Sequence, residues 1–315
     1  MIRPPFQQVV RSPLVQPLRG EKAAAYVEPV ATTLADIAAY NVTAKSWATI
    51  PWGPETWYEG GLPRGQWVDV DLPATAAPVN GHPCVLWFHP NGMSKDLTDT
   101  QVINQKAAAL ANGFAFLSFE FRHPVPNVDL GAPHYDAGLA IQYARGLAVA
   151  LNLDKTNFFG MVQSRGNLAL WQTLQPDMQN LTGPTWASRQ SSKLKAIWSY
   201  QGQTTYSTTE MANTFIVAGD RATFIATYPD DPRWGSALQS VPTAGSLPPL
   251  VMRHRDAYPA GLVAWTAFDE HFPGFGQAMG AAYTAAGQGS KFTGADNIVG
   301  NAAWTGMLTW FAGQL

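Results

Sequence analysis

From about Ser46 onward the pattern of apolar and polar positions alternates between two kinds of segment. Short, continuous apolar runs bounded by turn residues read as strands covered on both faces. Longer runs with apolar residues three and four apart read as helices. "QWVDVDLP" alternates and is followed by a Pro/Ala/Asn/Gly turn, after which "PCVLWFHP" is a continuous apolar strand ending in His89-Pro90-Asn91-Gly92. "TDTQVINQKAAALANG" predicts a helix stopped by Gly113, "FAFLSFEFR" a buried strand, and "YDAGLAIQYARGLAVALNL" a helix of about five turns. Further on, "LKAIWSYQ" and "PPLVMRHRD" predict strands, "GFGQAMGAAYTAAG" a helix and "NAAWTGMLTWFAGQL" a terminal amphipathic helix. Strands alternating with helices predict an α/β protein with a mainly parallel central sheet flanked by helices. Residues from about 203 to 247 read as irregular and polar-aromatic, with room for a cap insertion between two strands.

The first 20 residues break this pattern. "MIRPPFQQVVRSPLVQPLRG" holds four prolines and three arginines and no carboxylate, a composition that keeps no helical period and packs no core. Residues 1–22 are therefore expected to form an extended N-terminal arm, and residues 23–315 one large domain. The apolar residues Phe6, Val9, Val10, Leu14, Val15 and Leu18 are costly to expose together, which points to burial of the arm on a neighbouring protein subunit.

Composition narrows the function classes. The chain has 315 residues, is 46% apolar with 12 Trp and 15 Phe, and is long enough to bury a large core. Its formal net charge is −2 with 13% charged residues, so no basic surface suits nucleic acid and no polybasic run suits a membrane. Cys84 is the single cysteine, which excludes an intramolecular disulfide. No apolar run reaches the roughly 18 residues of a membrane span and no leader-like apolar stretch follows the N-terminus, which leaves the location open, virion and cytoplasm among the options.

One segment carries a chemical signature. In "NFFGMVQSRGNLALWQ" an apolar strand stops at Ser164 and resumes as a helix. Strand, sharp turn with serine, helix is the setting of a nucleophile elbow, where the hydroxyl stands at a helix start beside backbone N–H groups able to hold an oxyanion. The elbow here is Val162-Gln163-Ser164-Arg165-Gly166, with the second of the two usual glycines present and the first replaced by Val162.

With these residues the chain resembles the α/β-hydrolase fold family, in its esterase, lipase and carbohydrate-esterase branch, from about Ile50 to the C-terminus. "IPWGPETWYEGGLPRGQWVDVDLP" resembles that branch's lead-in strands, and "VLWFHPNG" stands where the family has its HGGG-type oxyanion loop. "SFEFRHPVPNVDLGAPHYDAGLAIQYAR" resembles the strand, loop and helix before the elbow, and "SRGNLAL" resembles the elbow's helical half. The resemblance implies an oxyanion site from Asn91, Gly92 and Arg165, with Ser164 as nucleophile, followed along the chain by an acid after a late strand and a histidine after the last one.

The later members depart from the family. "PPLVMRHRDAYP" is similar to the family's HGDxD segment, whose second aspartate is the usual acid; Asp256 matches the first aspartate and Tyr258 falls at the catalytic position. "KFTGADNIVG" resembles the loop that carries the family's histidine, and Asn297 stands in its place. The six histidines lie at 82, 89, 123, 134, 254 and 271, so no base can come from that loop. An asparagine amide accepts no proton near neutral pH. His271, in "FDEHFPGFGQAM" with Asp269 and Glu270 beside it, is the best relocated base, and Asp256 the candidate acid. On this reading Asn297 faces Ser164 across the space an imidazole would fill, unless His271 has moved into it.

The remaining candidates divide between chemistry and support. His89 and Asn91 either line the oxyanion pocket or fix their loop by hydrogen bonds, while Arg122 and His123 brace the proline-rich loop. His254 and Asp256 lack the spacing of a metal motif, so no metal and no cofactor are expected. Two functions stay open. The first is a non-catalytic or impaired hydrolase-like protein, a structural or binding component of an assembly such as a phage virion, joined through residues 1–20. The second is a serine carboxylic-ester hydrolase, acting on esters such as acetylated glycans, with Ser164 and a relocated base.

Overall fold

The computed structural model describes residues 46–59, 62–122, 131–228, 237–241 and 245–315. The arm expected at residues 1–22 and His123 lie outside them, and so does the middle of the candidate cap at 229–236. Strand β1 (Ser46–Glu59) is followed by β2 (Leu62–Asp71), β3 (His82–Phe88), helix α1 (Thr100–Ala111) and β4 (Ala115–Phe119). Next come α2 (Gly131–Gly146), α3 (Ala148–Leu151), β5 (Leu153–Gln163), α4 (Leu168–Leu174) and β6 (Ala196–Tyr200). The chain continues through α5 (Thr208–Phe215), α6 (Arg221–Thr227), α7 (Ala237–Ser240) and β7 (Leu250–Arg253), and ends with α8 (Gly274–Ala285), β8 (Phe292–Ala295) and α9 (Met307–Ala312).

The strands form an eight-stranded sheet in the order β1-β2-β4-β3-β5-β6-β7-β8. β2 runs antiparallel to both neighbours, and from β4 to β8 the neighbours are parallel. Alternate residues of one strand serve two different cores. Along β3, Cys84, Leu86 and Phe88 join a large cluster with α2, α4 and α8, including Ile141, Leu170 and Tyr283. Val85 and Trp87 join a second cluster with α1 and α9, including Val102, Trp304 and Phe311. Both faces are covered, which is why the inner strands read as unbroken apolar runs.

Three expectations are adjusted by packing. The helix expected over 135–153 starts earlier, at Gly131, and is interrupted at Leu147. The Trp186 ring lies so close to Gly146 that an added Cβ would sit 1.6 Å from it, so glycine is required there against a neighbour distant in sequence. The terminal helix begins only at Met307, because Gly306 turns the chain at φ +83°. The segment read as irregular over 203–247 contains α5, α6 and α7. Ser207 caps α5 by accepting from the Glu210 N–H at 3.2 Å, and Ser-x-x-Glu is the sequence signature of a helix start. Phe215 and Phe224 of this segment pack with Phe272 and Phe275 in a third, smaller core.

Candidate active site

β5 ends at Gln163, and Ser164 opens a 3-10 turn, Ser164–Asn167, that leads into α4. Ser164 has φ +48°, the left-handed region that side chains normally avoid, in a residue only 4% exposed. The glycine two positions on explains how the turn closes. A Cβ at Gly166 would lie 2.0 Å from the Phe88 carbonyl oxygen and 3.2 Å from that of His89. The elbow is thus pressed onto the end of β3, which brings the loop of His89, Asn91 and Gly92 beside it. Val162, where the first family glycine would stand, is fully buried.

That neighbouring loop is held from beneath. His89 is fully buried with Nε2 3.2 Å from the Glu120 carboxylate and Nδ1 2.9 Å from the Pro90 carbonyl oxygen. Glu120 also accepts from Arg64 Nη1 at 3.2 Å and from the Lys95 backbone N–H at 3.1 Å. His89 is therefore a support of the loop, not part of its exposed lining. Asn91 and Gly92 are exposed at the turn, with Gly92 at φ +78°. Arg122 clasps Asp136 of α2, Nε donating at 2.8 Å and Nη2 at 2.6 Å, while the proline-rich loop it was expected to brace lies outside the described residues. Burial pushes the Asp136 carboxyl upward, and Arg122 opposes that shift.

The group facing Ser164 is His271, its Nε2 3.0 Å from Ser164 Oγ. His271 lies just before α8, in the connection that leaves β7, so the imidazole comes from a different loop than the family's and fills the gap that Asn297 was expected to face. Asn297 is exposed after β8 in a left-handed conformation, φ +55°. Asp256 does not reach His271. It pairs with the adjacent Arg255 at 3.0 Å, both side chains about half exposed. Asp269 caps the loop, Oδ1 accepting from the His271 backbone N–H at 2.7 Å, and Glu270 is exposed. No hydrogen bond to His271 Nδ1 is found among the described residues.

Behind this loop lies His254, fully buried at the end of β7, with neither ring nitrogen in a hydrogen bond of normal geometry. Burial drives its imidazole down to about 4, so it is neutral near pH 7, while the His271 backbone nearby opposes the shift. Tyr258, at the position of the family's acid, has its phenol pushed up to about 12 by burial and then by Asp296. Neither group can replace a carboxylate. Two residues without a motif also converge here: Asn167, in the turn of Ser164, and Gln203, after β6. The sequence signals neither, since buried amides have no characteristic spacing. Among the described residues, no group of three His, Cys, Asp or Glu is placed to hold a metal ion.

Strand order, elbow and helical layers define the α/β-hydrolase fold, and solved structures agree. The chain matches a thermophilic esterase from Thermogutta terrifontis with TM-score 0.54 and 17% identity, covering 77% of this chain and 80% of that one. It matches an acetyl ester-xyloside bifunctional hydrolase from Caldicellulosiruptor lactoaceticus with TM-score 0.59 and 16% identity over 86% and 95%. A truncated carbohydrate esterase from gut microbiota matches with TM-score 0.52 and 15% identity over 86% and 96%. No family model matches the chain, and no curated protein matches it by sequence. At these identities the likeness is one of fold.

Proposed function

We propose that this protein is a serine carboxylic-ester hydrolase in which Ser164 is the nucleophile and His271 its general base. The observation that carries the reading is the 3.0 Å contact of His271 Nε2 with a serine Oγ held in a left-handed elbow. A serine hydroxyl is a poor nucleophile without an adjacent base, and this separation is the distance a proton transfer needs. Ser164 Oγ attacks the ester carbonyl while its proton passes to Nε2. The Arg165 N–H, with a donor from the Asn91-Gly92 turn, faces the developing oxyanion. His271 returns the proton to the leaving alcohol, and water then repeats the sequence on the acyl-enzyme.

Esters of short acids, acetylated saccharides among them, are the proposed substrates. The fold's likeness to an acetyl ester-xyloside hydrolase and to carbohydrate esterases supports that choice. The alternative, a non-catalytic assembly or virion component, took its support from the missing base and from residues 1–20. His271 supplies the first, and the second lies outside the described residues.

Labelling with a fluorophosphonate tests the reading. Ser164 Oγ should bond to phosphorus with loss of fluoride, stoichiometrically, and Ser164→Ala should abolish both labelling and acetate release from p-nitrophenyl acetate. Unlabelled, inert wild-type protein would return the non-catalytic reading to first place.

A further inference from the structure

Among the described residues no carboxylate bonds the imidazole ring of His271, yet its Nε2 stands 3.0 Å from the serine Oγ. We infer that Gln203 and Asn167 are positioning residues, a buried amide relay that fixes the His271 loop relative to the Ser164 turn; this rests on the hydrolase reading above. The relay starts inside the elbow. Asn167, three residues after Ser164 in the same 3-10 turn and 1% exposed, donates from Nδ2 to the Gln203 carbonyl oxygen at 2.6 Å. Ser199 of β6 fixes the other end of that amide, its Oγ donating to Asn167 Oδ1 at 3.0 Å. Gln203, 8% exposed, then donates from Nε2 to the backbone carbonyl of Glu270, also at 3.0 Å. Glu270 precedes His271 directly, so the base and the nucleophile are both positioned from one turn.

Two features show how tightly this path is built. Gly202 lies between Ser199 and Gln203, and a Cβ there would sit 2.2 Å from Ser199 Oγ and 2.8 Å from the Asn167 amide; any larger residue would push the relay apart. The same peptide unit is held from its other end, because Asp269 accepts the His271 N–H; both the carbonyl and the N–H of the Glu270–His271 peptide are tethered. An amide relay differs from a carboxylate in its chemistry. It fixes position but adds no negative charge to stabilise the imidazolium. Its loss should therefore cost rate through misplacement, for which a shift near 1 Å costs roughly 100-fold.

The test uses full-length protein and two near-isosteric variants that each remove one donor: Gln203→Met deletes the amide facing Glu270, and Asn167→Asp keeps the acceptor for Ser199 but loses Nδ2–H. Each should lower kcat for p-nitrophenyl acetate and the fluorophosphonate labelling rate by roughly 10- to 100-fold, with KM within about twofold of wild type. Because both act on one path, the double variant should be little worse than the poorer single. Folded variants that label at the wild-type rate, or two losses that multiply, would overturn the relay. If wild-type protein fails to label, the hydrolase reading is what has failed. The His271 imidazole NMR signals then decide the relay separately: a shift in Gln203→Met upholds it, and unchanged signals sink it.

Discussion

The two halves of the candidate site are held by opposite means. The Ser164 elbow is all but buried, fixed by a strained backbone between two inner strands, and closed by a glycine pressed on the Phe88 carbonyl. The His271 loop has no regular secondary structure around the imidazole, and Asp269 and Glu270 beside it are exposed. It rests on an aromatic floor, Phe268, Phe272 and Phe275 packed against Phe215 and Phe224 with ring centroids 5.1–6.1 Å apart, and is tethered by side-chain hydrogen bonds. The comparison teaches that a nucleophile set by main-chain geometry tolerates almost no local change. A histidine held by side-chain hydrogen bonds on an exposed loop depends instead on a few tethers from distant segments.

Substitutions can break or sharpen this contrast. The largest effect is expected from His271→Gln, which removes the proton acceptor from a partly exposed site: Ser164 labelling and ester turnover should fall by roughly 1,000-fold or more while the thermal midpoint barely moves. Undiminished turnover would mean that another group serves as base. Gly166→Ala should strike stability as well, because its methyl carbon would meet the Phe88 carbonyl at 2.0 Å and force the elbow off β3. A stability loss on the order of 1–3 kcal/mol in urea, with activity lost alongside, is expected; an unchanged midpoint would show that the contact relaxes.

A third prediction concerns His254 behind the loop. Its imidazole falls from the ordinary 6.5 to about 4 in the folded protein, so the unfolded chain binds the extra proton between those values. Its contribution is present above pH 6.5 and lost as pH falls toward 4, about 3 kcal/mol in all. His254→Gln should flatten the dependence of unfolding free energy on pH across that window, and an unaltered slope would place the acid sensitivity elsewhere. The smallest effect belongs to Asp256→Asn. With both members of its ion pair about half exposed, turnover and stability should stay within about twofold and 1 kcal/mol of wild type. A large loss of kcat would reinstate Asp256 as the acid.

Much of this site was legible in the order of residues, but unevenly. Ser164 stood out because the signal of an elbow is local: a buried strand, a serine, a glycine two residues later and a helix. His271 could be singled out only by elimination, as the sole histidine in a loop beyond a late strand, and nothing local showed that it would meet a serine 107 positions earlier. Asp256 matched only the first aspartate of its motif, not the usual acid, and the fold gives its carboxylate to Arg255. The helix start at Ser207 was readable from its capping pair, whereas the need for glycine at 146 was not, since the Trp186 ring that crowds it comes from a distant part of the chain.

The sequence by itself determined the layered α/β architecture, because unbroken apolar strands and two-sided burial follow from periodicity and the hydrophobic effect alone. It also determined where the chain must turn against its preference, at Ser164, and why Gly166 follows. Only the tertiary structure decided which loop delivers the imidazole and which buried amides hold it there. Those outcomes depend on distances between segments far apart in the chain, and hydrogen bonds of about 3 Å between such segments leave no periodic trace in the residues that make them.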